Sequence, residues 1–84
     1  MTELLEHLLA QASIRRSLPE PPLRRVLRQR AGLSQQEIAD SLGVNRVSVT
    51  RYENGQRTPR GQLGVDYAQL LDRLAEHARG EAAV

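Results

Sequence analysis

The feature that most constrains this chain is a pair of short helical segments separated by a single glycine. Residues 33–55 read LSQQEIADSLGVNRVSVTRYENG. Ser34 and Glu37 have the spacing of a capping box, in which each residue satisfies a free amide of the other, and Asn45 is a favoured cap for a second helix. Helices of about eight residues are marginal in isolation. The sequence therefore predicts two helices that support each other across a turn at Gly43.

The apolar residues of this segment follow the spacing of a helix-turn-helix motif. With Gln35 as the first position, the motif needs a small residue at the fifth and a permissive backbone at the ninth, where the chain has Ala39 and Gly43. The fourth, eighth, tenth, fifteenth and eighteenth positions must be apolar, and they are Ile38, Leu42, Val44, Val49 and Tyr52. A shared apolar contact is thus expected to supply the stability that the two short helices lack.

The flanking sequence predicts three further helices and no strand. Four leucines and an alanine recur at helical spacing over residues 2–16, which predicts an amphipathic helix, and SLPEPP ends it. A second helix is expected from Pro22 to Ala31, and a last one from Thr58-Pro59 to near Gly80. The apolar stripe of the last helix consists of Leu63, Tyr67, Leu70, Leu71, Leu74 and Ala78.

The expected fold class is therefore all-α. It is a compact five-helix bundle that contains a helix-turn-helix and an extra N-terminal helix. We expect an N-terminal helix at 1–17, a helix-turn-helix domain at 18–80 and a frayed tail at 81–84. The stripe of Leu4, Leu5, Leu8 and Leu9 has three open interpretations, namely core, dimer interface and, third, membrane contact.

The composition excludes several classes of function. The 84 residues include no cysteine, so neither a disulfide framework nor a thiolate metal site can form. His7 and His77 lie near opposite ends without partners at metal-ligand spacing, and no apolar run approaches the roughly 18 residues of a membrane helix. There is no nucleophile–base pair and no phosphate loop. We expect no metal, no cofactor, no small-molecule ligand, no membrane association and no enzymatic activity, in a protein of the bacterial cytoplasm.

Positive charge is concentrated in the middle of the chain. Residues 15–60 contain ten arginines and four acids, whereas the remainder contains two arginines and six acids. Every basic residue is Arg, and a guanidinium can bind phosphate or guanine through two hydrogen bonds. This asymmetry favours an anionic partner for the middle of the chain. Arg24, Arg25 and Arg30 are expected to form a solvated face of the second helix.

The major groove of DNA explains why two short helices would meet at a sharp turn. The groove admits one helix, while the preceding helix lies across the phosphate backbone. Arg can take guanine O6 and N7 together, and the side chain of Val47 and the methyl of Thr50 can touch a thymine methyl. The start of the first helix, Ser34 to Gln36, can direct amides at a phosphate. The groove-facing residues of the second helix would be Asn45, Arg46, Val47, Thr50 and Arg51.

These motifs resemble those of a known family. GLSQQEIADSLGVNRVSVTRYENGQRTPR is similar to the DNA-binding domain of lambda-repressor-like, Cro and xenobiotic-response-element type transcriptional regulators, over roughly residues 22–76. The specific parts are LSQ-x-E-I-A, LGV, V-x-R-Y-E-N-G and R-x-P. The resemblance implies a compact bundle with the helix at 45–53 in the major groove of double-stranded DNA.

The resemblance also implies roles for individual residues. Arg28 and Glu53 match an internal ion pair that ties the first bundle helix to the end of the recognition helix. The expected base-reading residues are Gln35, Asn45, Arg46, Val47, Thr50 and Arg51. The expected contacts to the DNA backbone are Ser34, Gln36, Ser48, Asn54, Arg57 and Arg60.

The sequence thus predicts a sequence-specific, DNA-binding transcriptional regulator, in particular a repressor of phage or bacterial type. It would act as a homodimer on a palindromic operator. Many members of the family dimerise through the last helix, but here either the N-terminal helix or the long last helix could form the interface. The alternative is a protein–protein module such as an antitoxin or a coactivator, which would use its N-terminal helix to contact another protein.

Overall fold

Five α-helices follow one another along the chain, and residues 2–82 contain no strand. This structure, a computed structural model, describes the backbone of residues 2–82, without the side chains of residues 2, 11, 13–17, 81 and 82. The helices are α1 (Thr2–Ser17), α2 (Pro21–Arg30), α3 (Gln35–Leu42), α4 (Arg46–Glu53) and α5 (Gly61–Ala82). The all-α prediction is confirmed. The proposed division into 1–17, 18–80 and 81–84 stays a prediction.

The predicted capping interactions at the turn are confirmed. Ser34 Oγ accepts a hydrogen bond from the Glu37 amide at 3.0 Å, and the Ser34 amide donates to Glu37 Oε1 at 3.0 Å. Gly43 has φ of +72° and ends α3 in the left-handed conformation. Asn45 Oδ1 then accepts from the Ser48 amide at 2.9 Å and begins α4. Each short helix is therefore capped by its own local sequence.

Helices α2 and α5 begin at other residues than predicted. Helix α2 starts at Pro21, one residue earlier, with both prolines in the first turn, where no amide is needed. Helix α5 starts at Gly61, not at Thr58-Pro59. Gly61 has φ of +60°, and a left-handed residue cannot lie inside a right-handed helix, so α5 cannot include Pro59. Helix α5 continues past Gly80 to Ala82, and residues 83 and 84 lie outside the described residues.

The core is one apolar cluster beneath the turn, with α5 packed against α2 and α3. The Tyr52 and Tyr67 rings lie 5.3 Å apart between centroids, and burial raises the pKa of Tyr67 to about 12. The motif positions predicted to be apolar are confirmed as core or as packed against it. The buried members are Leu18, Leu27, Ile38, Ala39, Val49, Tyr52, Tyr67, Leu71 and Leu74.

Helix α1 packs on α5, but its leucines do not enter the core. Leu4, Leu5, Leu8 and Leu9 are 66%, 57%, 56% and 57% exposed. The interpretation of this stripe as core is therefore wrong, because residues 3–10 are all exposed. Within residues 2–82, no helix is long and apolar enough to cross a membrane.

The end of α4 lies directly against the start of α2. Gly55 follows the helix with φ of +73°, and a Cβ atom at this position would lie 3.1 Å from Cγ of Pro21. Position 55 therefore needs glycine both for its backbone conformation and for the close approach. This contact fixes where the chain leaves α4.

Arg24 does not belong to a solvated face, which corrects the prediction. Its side chain is buried, with Nε donating to the Pro19 carbonyl at 2.7 Å and Nη1 to the Tyr52 carbonyl at 2.9 Å. The Tyr52 carbonyl belongs to the last turn of α4, where carbonyl groups lack intrahelical partners and favour a positive charge. Arg25 and Arg30 are exposed as predicted.

Replacing Arg24 with Met should lower the free energy of unfolding by about 2 kcal/mol or more, because two carbonyl oxygens lose a charged donor. Arg30→Met makes the same change at an exposed site on the same helix and should stay within about 0.5 kcal/mol of wild type. Urea unfolding followed by circular dichroism measures both variants. Equal midpoints for the two would show that Arg24 does not anchor α2 to α4.

Candidate nucleic-acid interface

Helix α4 has one buried face and one exposed face, as its helical period requires. Val49, Tyr52 and Glu53 are buried, with Val49 fully inaccessible. The opposite face consists of residues 46, 47, 50 and 51, which recur every three to four positions. The helix thus presents these four side chains together on the outside of the bundle.

Charge and shape on the exposed face suit a nucleic acid. Arg46 and Arg51 are exposed, and Val47 is an apolar side chain that is 54% exposed between them. Thr50 is half-buried beside them. A lone exposed valine is unremarkable in itself, but next to two guanidinium groups it matches the apolar and hydrogen-bonding mixture of a base-pair edge.

A buried ion pair fixes the inner face of α4. Arg28 donates from Nε to Glu53 Oε2 at 2.5 Å and from Nη2 to Glu53 Oε1 at 3.0 Å. Its third nitrogen, Nη1, donates to the Leu33 carbonyl at 2.9 Å. The Glu53 side chain is 2% exposed and that of Arg28 12%. The two residues that the sequence suggested as a structural pair are therefore in direct, two-pronged contact.

Burial alone would raise the pKa of Glu53 and oppose its ionisation. Hydrogen bonds from Arg28 and Gln35, with the positive charges of Arg28 and Arg25, outweigh burial and hold the pKa of Glu53 below its ordinary value. The hydrogen bond to Glu53 raises the pKa of Arg28. Both groups are therefore charged at neutral pH.

Gln35 lies between this ion pair and the exposed face. Its Nε2 donates to Glu53 Oε1 at 3.1 Å, and its Oε1 accepts from the Thr50 hydroxyl at 2.9 Å. The structure thus joins Gln35, an expected DNA contact, to Thr50 on the next helix. Both ends of the Gln35 amide are engaged within the protein.

Several residues expected at the DNA backbone also have partners within the protein. The Ser34 amide and hydroxyl are both used by the capping box, so the amides that α3 can direct at a phosphate are those of Gln35 and Gln36. The Gln36 side chain donates to Asp40 at 2.8 Å. The Ser48 hydroxyl donates to Asn45 Oδ1 at 3.1 Å.

Arg57 and Arg60 are exposed on the segment between α4 and α5. They border an open cleft of about 930 Å³, and His7 and Leu8 of α1 form another part of its lining. The structure therefore brings the N-terminal helix next to the arginines expected to contact DNA. Among the described residues, no group of three or more potential ligands could hold a metal ion.

Arg25, which the sequence places on a solvated face of α2, is a further candidate for contact with DNA. Its Nη2 donates to Asn54 Oδ1 at 3.2 Å, and its Nε lies 3.7 Å from Glu53 Oε1. Half of its side chain is exposed. The sequence indicates this position of Arg25 through its spacing, because residues three apart, such as Arg25 and Arg28, lie on one face of a helix. Arg25 thus adds an exposed positive charge at the end of α4.

Comparison with known proteins agrees with this geometry. A model of the helix-turn-helix family matches residues 25–76, and α1 lies outside the match. A Pyrococcus furiosus protein, named as an HTH-type transcriptional regulatory protein, is 42% identical over 50 residues. The match covers 60% of this chain but only 15% of that protein. No solved structure matches the chain. The resemblance to helix-turn-helix regulators is confirmed.

Replacing Glu53 with Gln should lower the free energy of unfolding at neutral pH by about 3 kcal/mol, since Arg28 loses its buried counter-ion. The pKa of Glu53 in the folded protein lies below the ordinary 4.5. Its contribution is therefore complete above that value and is lost as the pH falls through the folded pKa. The difference between wild type and variant should shrink in acid.

Urea unfolding from neutral pH into the acid range measures this difference. Glu76→Gln, at an exposed position of α5, is the matched control and should follow wild type throughout. If the difference in free energy of unfolding between wild type and Glu53→Gln stays constant with pH, Glu53 does not stabilise the fold as an ionised partner of Arg28.

Proposed function

The chain belongs to the helix-turn-helix family of DNA-binding transcriptional regulators, and from that premise we propose that it reads double-stranded DNA in a sequence-specific manner. Helix α4 is the recognition helix and lies in the major groove. The observation that carries this proposal is the separation of α4 into a buried face held by Glu53 and an exposed face of Arg46, Val47, Thr50 and Arg51.

Three of the four side chains on the exposed face have an evident matching group in the major groove. The guanidinium groups of Arg46 and Arg51 each donate to guanine O6 and N7, and Val47 packs on a thymine methyl. Asn45 adds its side-chain amino group at the start of the helix, because its oxygen is already the helix cap. These contacts supply the sequence preference.

Contacts to phosphate set the register of the protein on DNA. The amides of Gln35 and Gln36 at the start of α3 favour a phosphate on one side of the groove. Asn54, Arg57 and Arg60, joined by Arg25, bind the backbone on the other side. The cluster of arginines supports a binding affinity that falls steeply with salt, because neutralised phosphates release counterions.

The protein acts as a homodimer and as a repressor of bacterial or phage type in the bacterial cytoplasm, without enzymatic activity. A single eight-residue recognition helix contacts only a few base pairs. Two copies in successive major grooves, about 34–36 Å apart, would read a palindromic operator. The exposed leucines of α1 form the dimer interface, which removes their apolar surface from water.

The same leucines favour one alternative function, a protein–protein module such as an antitoxin or a coactivator. In that case the leucine face of α1 binds a different protein. A chain that is monomeric alone and enriches no DNA sequence from a random pool would favour this alternative over the regulator.

Arg46→Ala should weaken binding to the selected operator by about 1–3 kcal/mol, which is roughly five- to 150-fold in affinity, because a bidentate contact to guanine is lost. The fold should be unaffected, since the side chain is exposed. Arg30→Ala removes an exposed arginine from α2 and should retain nearly full affinity. Fluorescence anisotropy with a labelled operator measures both. Full affinity of a folded Arg46→Ala protein would remove Arg46 from the reading face.

Leu5→Glu combined with Leu9→Glu should convert the dimer to a monomer, since both leucines are more than half exposed in one chain and the proposed interface covers them with a second copy. Leu23→Glu places the same charge at an exposed leucine of α2 and should leave the dimer intact. Sedimentation equilibrium gives the mass of each variant. A wild-type protein that is monomeric at concentrations that saturate DNA would contradict the dimer.

A further inference from the structure

Thr50 is the only uncharged hydrogen-bonding side chain among the four residues of the exposed face of α4. A hydroxyl has one proton to donate and two lone pairs to accept with. Two acceptors within the protein compete for that proton: Gln35 Oε1 at 2.9 Å and the Arg46 carbonyl at 3.2 Å. Both acceptors belong to the protein itself.

The orientation of the Gln35 amide follows from its other partner. Glu53 is buried against Arg28 and is ionised, so its oxygens can only accept hydrogen bonds. The amino end of Gln35 must therefore face Glu53, and this turns its carbonyl oxygen toward Thr50. That oxygen cannot donate, so the Thr50 hydroxyl must be the donor.

The proton of Thr50 is thus used within the protein, and the hydroxyl has only its lone pairs left for an outside partner. We propose, resting on the function proposed above, that Thr50 reads an exocyclic amino group in the major groove and acts there only as an acceptor. The amino groups available are N6 of adenine and N4 of cytosine. Guanine and thymine place a carbonyl oxygen at the corresponding sites, so Thr50 selects adenine over guanine or cytosine over thymine.

Thr50 would thus accept a hydrogen bond from DNA, whereas its arginine neighbours donate. Arg46 and Arg51 can only donate, and they suit the acceptors of guanine. Thr50 lies one turn after Arg46, and the two side chains therefore read groups of opposite character from adjacent parts of the site. Gln35 is a positioning residue for this reading, because it acts on DNA through Thr50.

The test uses the full chain and its selected operator. The base pair to modify is the one at which Thr50→Val alters the selected sequence. There, adenine is replaced by purine, which lacks the N6 amino group, or cytosine is replaced by 2-pyrimidinone, which lacks the N4 amino group. Wild type should lose about tenfold in affinity on the modified site. Thr50→Val keeps the shape but has no hydroxyl, so it should bind both sites alike. Thr50→Ser restores the hydroxyl and should lose affinity as wild type does.

Two controls separate this effect from changes in the DNA or the fold. The same base replacement outside the contacted positions should leave wild-type affinity unchanged. Urea midpoints should show that all three proteins are folded.

The results also distinguish the inference from the function on which it rests. Equal losses of affinity for wild type and Thr50→Val on the modified site would overturn the acceptor role. Wild-type affinity that is unchanged when the amino group is removed, or that rises when guanine replaces adenine or thymine replaces cytosine, would overturn it as well. Failure of the intact protein to enrich any sequence would overturn the DNA-reading function itself, and the inference with it.

Discussion

The rest of the structure depends on one buried carboxylate. Glu53 is on α4, and it receives hydrogen bonds from Arg28 on α2 and Gln35 on α3, with Arg25 nearby. Removing a charge from water costs several kcal/mol, and the attraction of a partner roughly offsets this. The ion pair therefore adds little stability compared with apolar side chains of similar volume, although removing one partner alone is costly because the other charge stays buried. The ion pair mainly fixes the orientation of α4 relative to α2, because a bidentate contact allows only a narrow range of angles between the two helices.

A second arginine on α2 complements the first. Arg24 and Arg28 are four residues apart on one side of the helix, and both reach the end of α4. Arg28 binds a side chain there, whereas Arg24 binds the Tyr52 carbonyl. The contact of Gly55 with Pro21 adds a third constraint at the same place. Three contacts of different chemistry thus hold α4 by its C-terminal end, whereas Arg46 and Val47 in its first turn are exposed.

Features set by neighbouring residues could be predicted from the sequence. The Ser34–Glu37 box, the Asn45 cap and the left-handed Gly43 all involve residues within three positions of one another, so they appear in the sequence as spacings. The exposed positions of α4 follow from helical period in the same way. Their identity as DNA contacts stays a prediction.

Features set by distant contacts could not be predicted. Arg24 and Arg30 have the same side chain on the same helix, and Arg24 is the buried one because its guanidinium donates to the carbonyl groups of Pro19 and Tyr52. The hydrogen bond between Gln35 and Thr50 joins residues fifteen positions apart. The spacing of the leucines in α1 predicts that four side chains share one stripe, but it does not tell whether another helix covers that stripe. The start of α5 was misplaced because the left-handed Gly61 overrides the preference of Pro59 for a first turn.

The two-faced character of α4 has a consequence for how its preference could change over generations. Arg46, Val47 and Arg51 are exposed and have no role in the core, so a codon change at any of them alters the outer surface of α4 while the scaffold is retained. Position 50 is different, because its hydroxyl is joined through Gln35 to Glu53. Under the proposed DNA-reading role, three positions can therefore change one residue at a time without disturbing the protein's internal hydrogen bonds, whereas a change of the hydroxyl at position 50 also removes a partner of the Gln35 side chain that binds Glu53.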